Sequence, residues 1–132
     1  TRWLEFKRVL FRSIQGDFSF ESGFQAGEKI FSSAGQPTVI FASNDSMAAG
    51  VMKSAQMKKI LIPDELSIVG FDDSPTAEQV WPSLSTVKQP VNEMALHAAK
   101  LLIGEFDGLT EKTVSKEFKS EIIIRESLKK LN

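Results

Sequence analysis

Polar residues follow three strand-like runs in this 132-residue chain, and they include the groups best suited to grip a small molecule. Ser43, Asn44 and Asp45 follow TVIFA; Asp72 and Asp73 follow LSIVGF; Gln89 closes LSTVKQ. Phe18 lies in the polar turn that opens the first clear helix. Carboxylates accept from pairs of hydroxyls, amides both donate and accept, and an aromatic face covers the apolar side of a ring. A polyhydroxylated or heterocyclic ligand needs that set. In open parallel sheets, ligands bind outside the carboxyl ends of the strands. The residues that follow the three runs fall there if the runs are parallel strands.

Plainer roles compete at each position. Asn44 or Asp45 can be no more than a helix N-cap, and for Asp45 that role outweighs ligand contact. Asp72 and Asp73 can cap a short helix or make a turn, and Gln89 alone reads as a solvated loop residue. Phe18 alone reads as a loop or core anchor. Trp81, beside Pro82, is either a core plug or an exposed anchor for a partner. His97 lies one residue off an apolar helical stripe, as a surface or interface residue does.

Enzyme signatures are missing. The chain has no GxSxG, no GxxxxGK[ST] and no HExxH. Gly104 and Gly108 do not form a dinucleotide fingerprint after a strand. Asp45, Asp72 and Asp73 could hold a magnesium ion for phosphoryl chemistry, but neither a nucleophile nor a phosphate cradle accompanies them. With no cysteine and one histidine, thiolate and multi-histidine metal sites are excluded. No cofactor and no catalytic role are expected.

The elements that must position these residues alternate between helix and strand. Residues 1–12 carry Trp3, Leu4, Phe6, Val9, Leu10 and Phe11, a ragged amphipathic helix pattern. Ser19 caps a helix holding Phe20, Phe24, Gly27 and Phe31, with Glu21 in its first turn. TVIFA, 38–42, reads as a parallel strand buried on both faces. A helix from Ser46 to Lys58 follows, with Met47, Ala48, Val51, Met52 and Ala55 on one side. After the turn at Pro63, Asp64 and Glu65 come a second buried strand, 66–71, and a third, 84–89. Pro90 suits the first turn of the next helix, whose stripe is Val91, Met94, Ala95, Ala98 and Leu102. Gly104 or Gly108 ends it. A last extended segment is strongest at Ile122 to Ile124. The fold class is α/β, a Rossmann-like, mostly parallel sheet flanked by helices.

Composition bounds the rest. Sixteen basic against seventeen acidic residues leave a net charge of −1, unlike a free-standing nucleic-acid binder. Hydrophobic content of 42% is enough for a core. No apolar run approaches the roughly 20 residues of a membrane helix. The start lacks a signal-peptide pattern and a methionine, as a fragment or processed chain does.

The stretches GDFSFESGFQAG, PTVIFASNDSMAAGVM, IPDELSIVGFDD and PSLSTVKQP, in this order and spacing, closely resemble the effector-binding core of the LacI/GalR family of bacterial transcription regulators. The match runs from about Gly16 to Glu126. The resemblance implies one lobe of a type I periplasmic-binding-protein-like core, with the effector in a cleft between two lobes. It implies a cytoplasmic homodimer that meets operator DNA through an N-terminal helix-turn-helix, and no membrane partner. Residues 16–132 then form the C-terminal effector-binding and dimerisation subdomain, and residues 1–15 an atypical remnant of the preceding region.

Position by position, Phe18 matches the family's effector-packing aromatic and Asn44 an asparagine that hydrogen-bonds effector. Asp72 matches the carboxylate that grips hydroxyls or ring nitrogens, and Gln89 a polar cleft residue. Arg2 matches an effector-binding arginine, although the Gly-aromatic pair that follows it in the family reads Glu5-Phe6 here. Ala49, Val80 and Trp81 match positions facing the other subunit. A sugar, sugar phosphate or nucleoside is the implied ligand class. A solute-binding lobe of a transport system shares this architecture and is the alternative. The 132 residues contain no helix-turn-helix, hinge helix or N-terminal lobe, and KRVLFRS does not read as the strand that leads into GDF in the family. One cleft wall is therefore expected to be missing.

Overall fold

The computed structural model describes residues 13–104 and 115–130. The helix expected over 1–12, with Arg2, lies outside them. Helix α1 (Phe20–Ser32) starts where Ser19 Oγ accepts from Ser22 N, and Glu21 sits in its first turn. Strand β1 (Val39–Phe41) leads to α2 (Asp45–Met57), and β2 (Ser67–Phe71) leads to a single helical turn, α3 (Thr76–Gln79), inside the Pro-containing loop. Strand β3 (Ser85–Lys88), helix α4 (Val91–Ile103) and strand β4 (Glu121–Ile123) complete the order. Pro90 stands just before the first turn of α4 rather than within it, and Gly104 ends the helix at φ 70°.

The strands form one sheet in the order β1-β2-β3-β4. The first three are parallel, as the alternation of helix and strand requires, and β4 returns antiparallel beside β3. Ile40 lies beside Ile68, and Gly70 beside Thr86, on the face turned towards α2. There Ile68, Leu66 and Leu84 bury against Met52, Val51 and Ala55. Helices α1 and α2 meet backbone to backbone. A Cβ on Gly23 would stand 2.1 Å from the Met47 carbonyl oxygen, and one on Gly50 2.1 Å from that of Phe20. Any side chain at either position would force the helices apart.

The opposite face corrects one expectation. TVIFA is not buried on both sides: Val39 and Phe41 are 58% and 60% exposed. Register places them on one face with Val69, Phe71, Val87 and Ile122, and Ile122 is 67% exposed. A parallel strand is apolar all round because helices cover both faces. Among the described residues the helices cover one. Helix α4 has no buried residue, so its apolar stripe from Val91 to Leu102 also lacks cover from the described elements.

Candidate functional site

The carboxyl ends of the strands gather the polar clusters, and the backbone is strained there. Asp72 N donates to Val87 O at 2.8 Å, completing the ladder beyond β2. The chain then turns through Asp72 at φ 106° and Asp73 at φ 54°. Two consecutive non-glycine residues at positive φ persist only where surrounding contacts hold them. Those contacts are present. Asp73 N donates to Thr86 Oγ1 at 3.3 Å, and Ser74 N donates to Asp45 Oδ2 at 2.7 Å. Arg125 Nη2 reaches Asp73 Oδ1 at 2.8 Å and Glu78 Oε1 at 3.2 Å, while its Nη1 donates to Leu84 O at 3.0 Å. The Arg125 guanidinium holds the Asp73 carboxyl below the usual carboxylate range.

The turn leaves Asp72 exposed, and Gln89 Nε2 donates to its Oδ1 at 3.0 Å. Asp72 and Gln89 therefore come together as the sequence suggests. Asp73 is instead committed to Arg125, with Lys88 Nζ 3.5 Å from its second oxygen.

Phe18 and Asn44 form a second pair. Phe18 adopts φ 68° with 65% of its surface exposed. Asn44 Nδ2 donates to the Phe18 carbonyl oxygen at 2.9 Å, while Asn44 Oδ1 accepts from Met47 N at 2.8 Å. Before Phe18, Asp17 Oδ1 accepts from both the backbone and the hydroxyl of Ser19. These bonds pull the exposed Asp17 carboxyl down to about 2.

Asp45 corrects the capping expectation. Asn44 is the cap, and Asp45 is the first helical residue, 1% exposed. Its Oδ1 accepts from Thr86 Oγ1 at 2.6 Å, beside Gly70, where a Cβ would stand only 2.2 Å away. Asp45 thus ties α2 to β3 and to the Asp73–Ser74 turn. It lies under the strand ends rather than in solvent, and Asp73 is ion-paired, so the three aspartates do not converge as the magnesium reading requires. Among the described residues no group of three His, Cys, Asp or Glu side chains could hold a metal ion. Sequence reasoning missed Asp45, Thr86 and Arg125 as supports of the site; the one signal was a polar Ser85-Thr86 pair inside a central strand.

The three positions matched to the subunit interface separate. Trp81 is 75% exposed, and Gln56 Nε2 donates to its carbonyl oxygen at 2.6 Å. Val80 is half-buried against the core, and Ala49 is 4% exposed. Ala49 therefore presents no outer surface. Leu61, 59% exposed, lines a shallow depression with Trp81. A larger depression of about 720 Å³ opens beside Gln89, between the start of α4 and Phe118. His97 is half-buried, its ring 5.6 Å from that of Phe118. Among the described residues, no helix is long and apolar enough to cross a membrane.

A sheet of this order with ligand-type residues at its carboxyl ends is that of a periplasmic-binding-protein-like domain, and the family of that description matches residues 6–128. The chain belongs to this family, in the form carried by LacI-type transcriptional regulators as their effector-binding domain. It is 39% identical over 122 residues to a probable HTH-type transcriptional repressor, ExuR, of Bacillus subtilis, covering 90% of this chain and 36% of the relative. An Escherichia coli sugar-binding transcriptional regulator of the LacI family, complexed with phosphate, superposes with a TM-score of 0.80 at 31% identity. That match covers 95% of this chain and 46% of the other. A Lactobacillus casei LacI-family regulator with bound glucose superposes at 0.68 and 29% identity, covering 83% and 39%. The chain thus spans about 36% of the length of the curated relatives it matches.

Proposed function

We propose that residues 16–132 are the sugar-sensing and dimerisation part of a LacI-type regulator, acting on operator DNA through a helix-turn-helix outside these 132 residues. The carrying observation is the strained Asp72–Asp73 turn, which aims an exposed carboxylate, bonded to Gln89, off the end of the central sheet. Asp72 and Gln89 take ligand hydroxyls. Phe18 covers an apolar ring face. Asn44 has one further amide N–H to offer. Glucose in one relative and phosphate in another favour a sugar or sugar phosphate over a nucleoside. The repressor names of the curated relatives favour a regulator over a transport lobe or an enzyme. Exposed Trp81, with Val80 behind it, forms the contact with a second copy.

One paired experiment tests both halves on the intact regulator, with D-glucose and D-glucose 6-phosphate as calorimetric probes. Asp72→Ala weakens sugar binding roughly ten- to a hundredfold, because hydroxyls left unpaired in a desolvated site cost about 1–3 kcal/mol, and it leaves the mass by light scattering unchanged. Trp81→Glu lowers the mass towards monomer and keeps sugar binding. Normal affinity in Asp72→Ala with a probe that binds the parent, or no binding of either probe, refutes the sugar reading. An unchanged mass in Trp81→Glu refutes the interface.

A further inference from the structure

We infer that Asn44 is a positioning residue for Phe18. Its side-chain amide locks Phe18 in a left-handed backbone conformation, holding the aromatic ring out at the strand ends. The functional weight of the inference rests on the reading of Phe18 as a ligand-facing wall.

Three observations converge on it. First, Phe18 is a bulky residue at φ 68°, a conformation that phenylalanine adopts only when other contacts impose it. Second, hydrogen bonds around the turn impose it. Asp17 Oδ1 accepts from Ser19 N across the turn, which clamps the residue before Phe18 to the residue after it. Ser22 Oγ donates to Ser19 O and accepts from Asp17 N, closing the turn onto the start of α1. Each of these bonds lies within the Asp17–Ser22 stretch. Asn44 Nδ2 supplies a tether from another part of the fold, reaching across 26 positions to the Phe18 carbonyl oxygen. Third, the far end of the tether is itself rigid. Asn44 Oδ1 caps α2, and α2 is pressed against α1 through Gly23 and Gly50. Gly16 lies under the same turn, where a Cβ would stand 2.3 Å from Met47 Cε.

The Asn44 amide does both jobs, each with its own atom: Nδ2 donates to Phe18 O and Oδ1 accepts from Met47 N. Aspartate or serine can cap α2, since either offers an acceptor to Met47 N. Aspartate has no N–H for the Phe18 carbonyl and would set a carboxylate oxygen against it. Asn44 therefore differs from an ordinary cap in a way that can be measured. The cap and the tether can be separated by one substitution that changes the side chain by a single group.

The experiment is solution NMR on the isotopically labelled full chain, comparing the parent with Asn44→Asp. Amide exchange at Met47 reports the cap. The HN–Hα coupling and Cα and Cβ shifts of Phe18 report its φ, and exchange at Ser19 and Ser22 reports the turn. In Asn44→Asp the Met47 amide is expected to keep its protection, within about twofold. Phe18 leaves the left-handed region, and exchange at Ser19 and Ser22 rises about tenfold. Phe18 keeping its left-handed φ in Asn44→Asp overturns the inference. So does loss of Met47 protection in step with the turn, which would make Asn44 a cap and no more. A second variant guards against a trivial rearrangement. Phe18→Gly removes the strain, so adding Asn44→Asp to it should change turn exchange by less than about twofold; an undiminished effect overturns the inference. D-glucose titration of the parent and Asn44→Asp in the intact regulator separates this from the ligand reading. Altered Phe18 geometry with unchanged glucose binding upholds the positioning role and refutes Phe18 as a ligand wall.

Discussion

The two faces of the sheet share strands and composition but differ in what covers them. On one face Ile68, Leu84 and Thr86 lie under α2, and the buried Asp45 carboxylate there is paired with Thr86 and Ser74. On the other, Val39, Phe41 and Ile122 are more than half exposed. Phe41 finds Phe71 edge-on at 6.4 Å, which is an aromatic pair within the sheet and not a second layer. The covered face therefore carries the stability and holds the strand ends still. The open face is an apolar surface of the kind that marks a place where further protein packs.

Matched truncations test this contrast most strongly. Ile68→Ala should cost about 4 kcal/mol in chemical denaturation, because the cavity it leaves is fully enclosed. Ile122→Ala on the open face should cost under about 0.5 kcal/mol. Equal costs would mean that the open face is covered in solution. Next comes the polar layer beneath the strand ends. Asp45→Ala should cost about 3 kcal/mol, since it strands the Thr86 hydroxyl and the Ser74 N–H in the interior. The same variant should speed amide exchange at Asp73 and Ser74, and unchanged exchange there would detach Asp45 from the turn.

The smallest effect is a titration. Asp17 is exposed and its carboxyl sits at about 2, held there first by the Ser19 hydroxyl and then by the Ser19 amide. A depressed carboxylate contributes its stabilisation above the unfolded value, near 3.8, and loses it as pH falls through about 2. The Asp17 carboxyl carbon should therefore titrate with a midpoint near 2, and in Ser19→Ala the midpoint should move up. A midpoint near 3.8 in the parent would show that the turn before Phe18 does not hold in solution.

Much of this was legible in the residues, for local reasons. Ser19 is a good cap wherever a helix follows, and apolar runs broken by polar clusters give strands with polar ends. The four family stretches carried the rest of the recognition, including Asp72 beside Gln89. The supports were harder to see. Arg125 stands 52 positions from Asp73, and Thr86 stands 41 from Asp45, and no periodicity links such pairs. Asp45 was misread because an acid at a helix start looks the same in sequence whether it caps or is buried. The cover over TVIFA was misread because an apolar strand says what it needs against both faces, not what is there.

The sequence by itself determined the alternation of helix and strand, the Ser19 cap and the polar ends of the strands, since these depend on near neighbours and on periodicity. Tertiary structure decided which carboxylate is exposed, which is paired and which is buried. It also decided which side of the sheet is covered and how Phe18 is held, because each of these depends on groups, distant in sequence, that meet only when the strands and helices pack together.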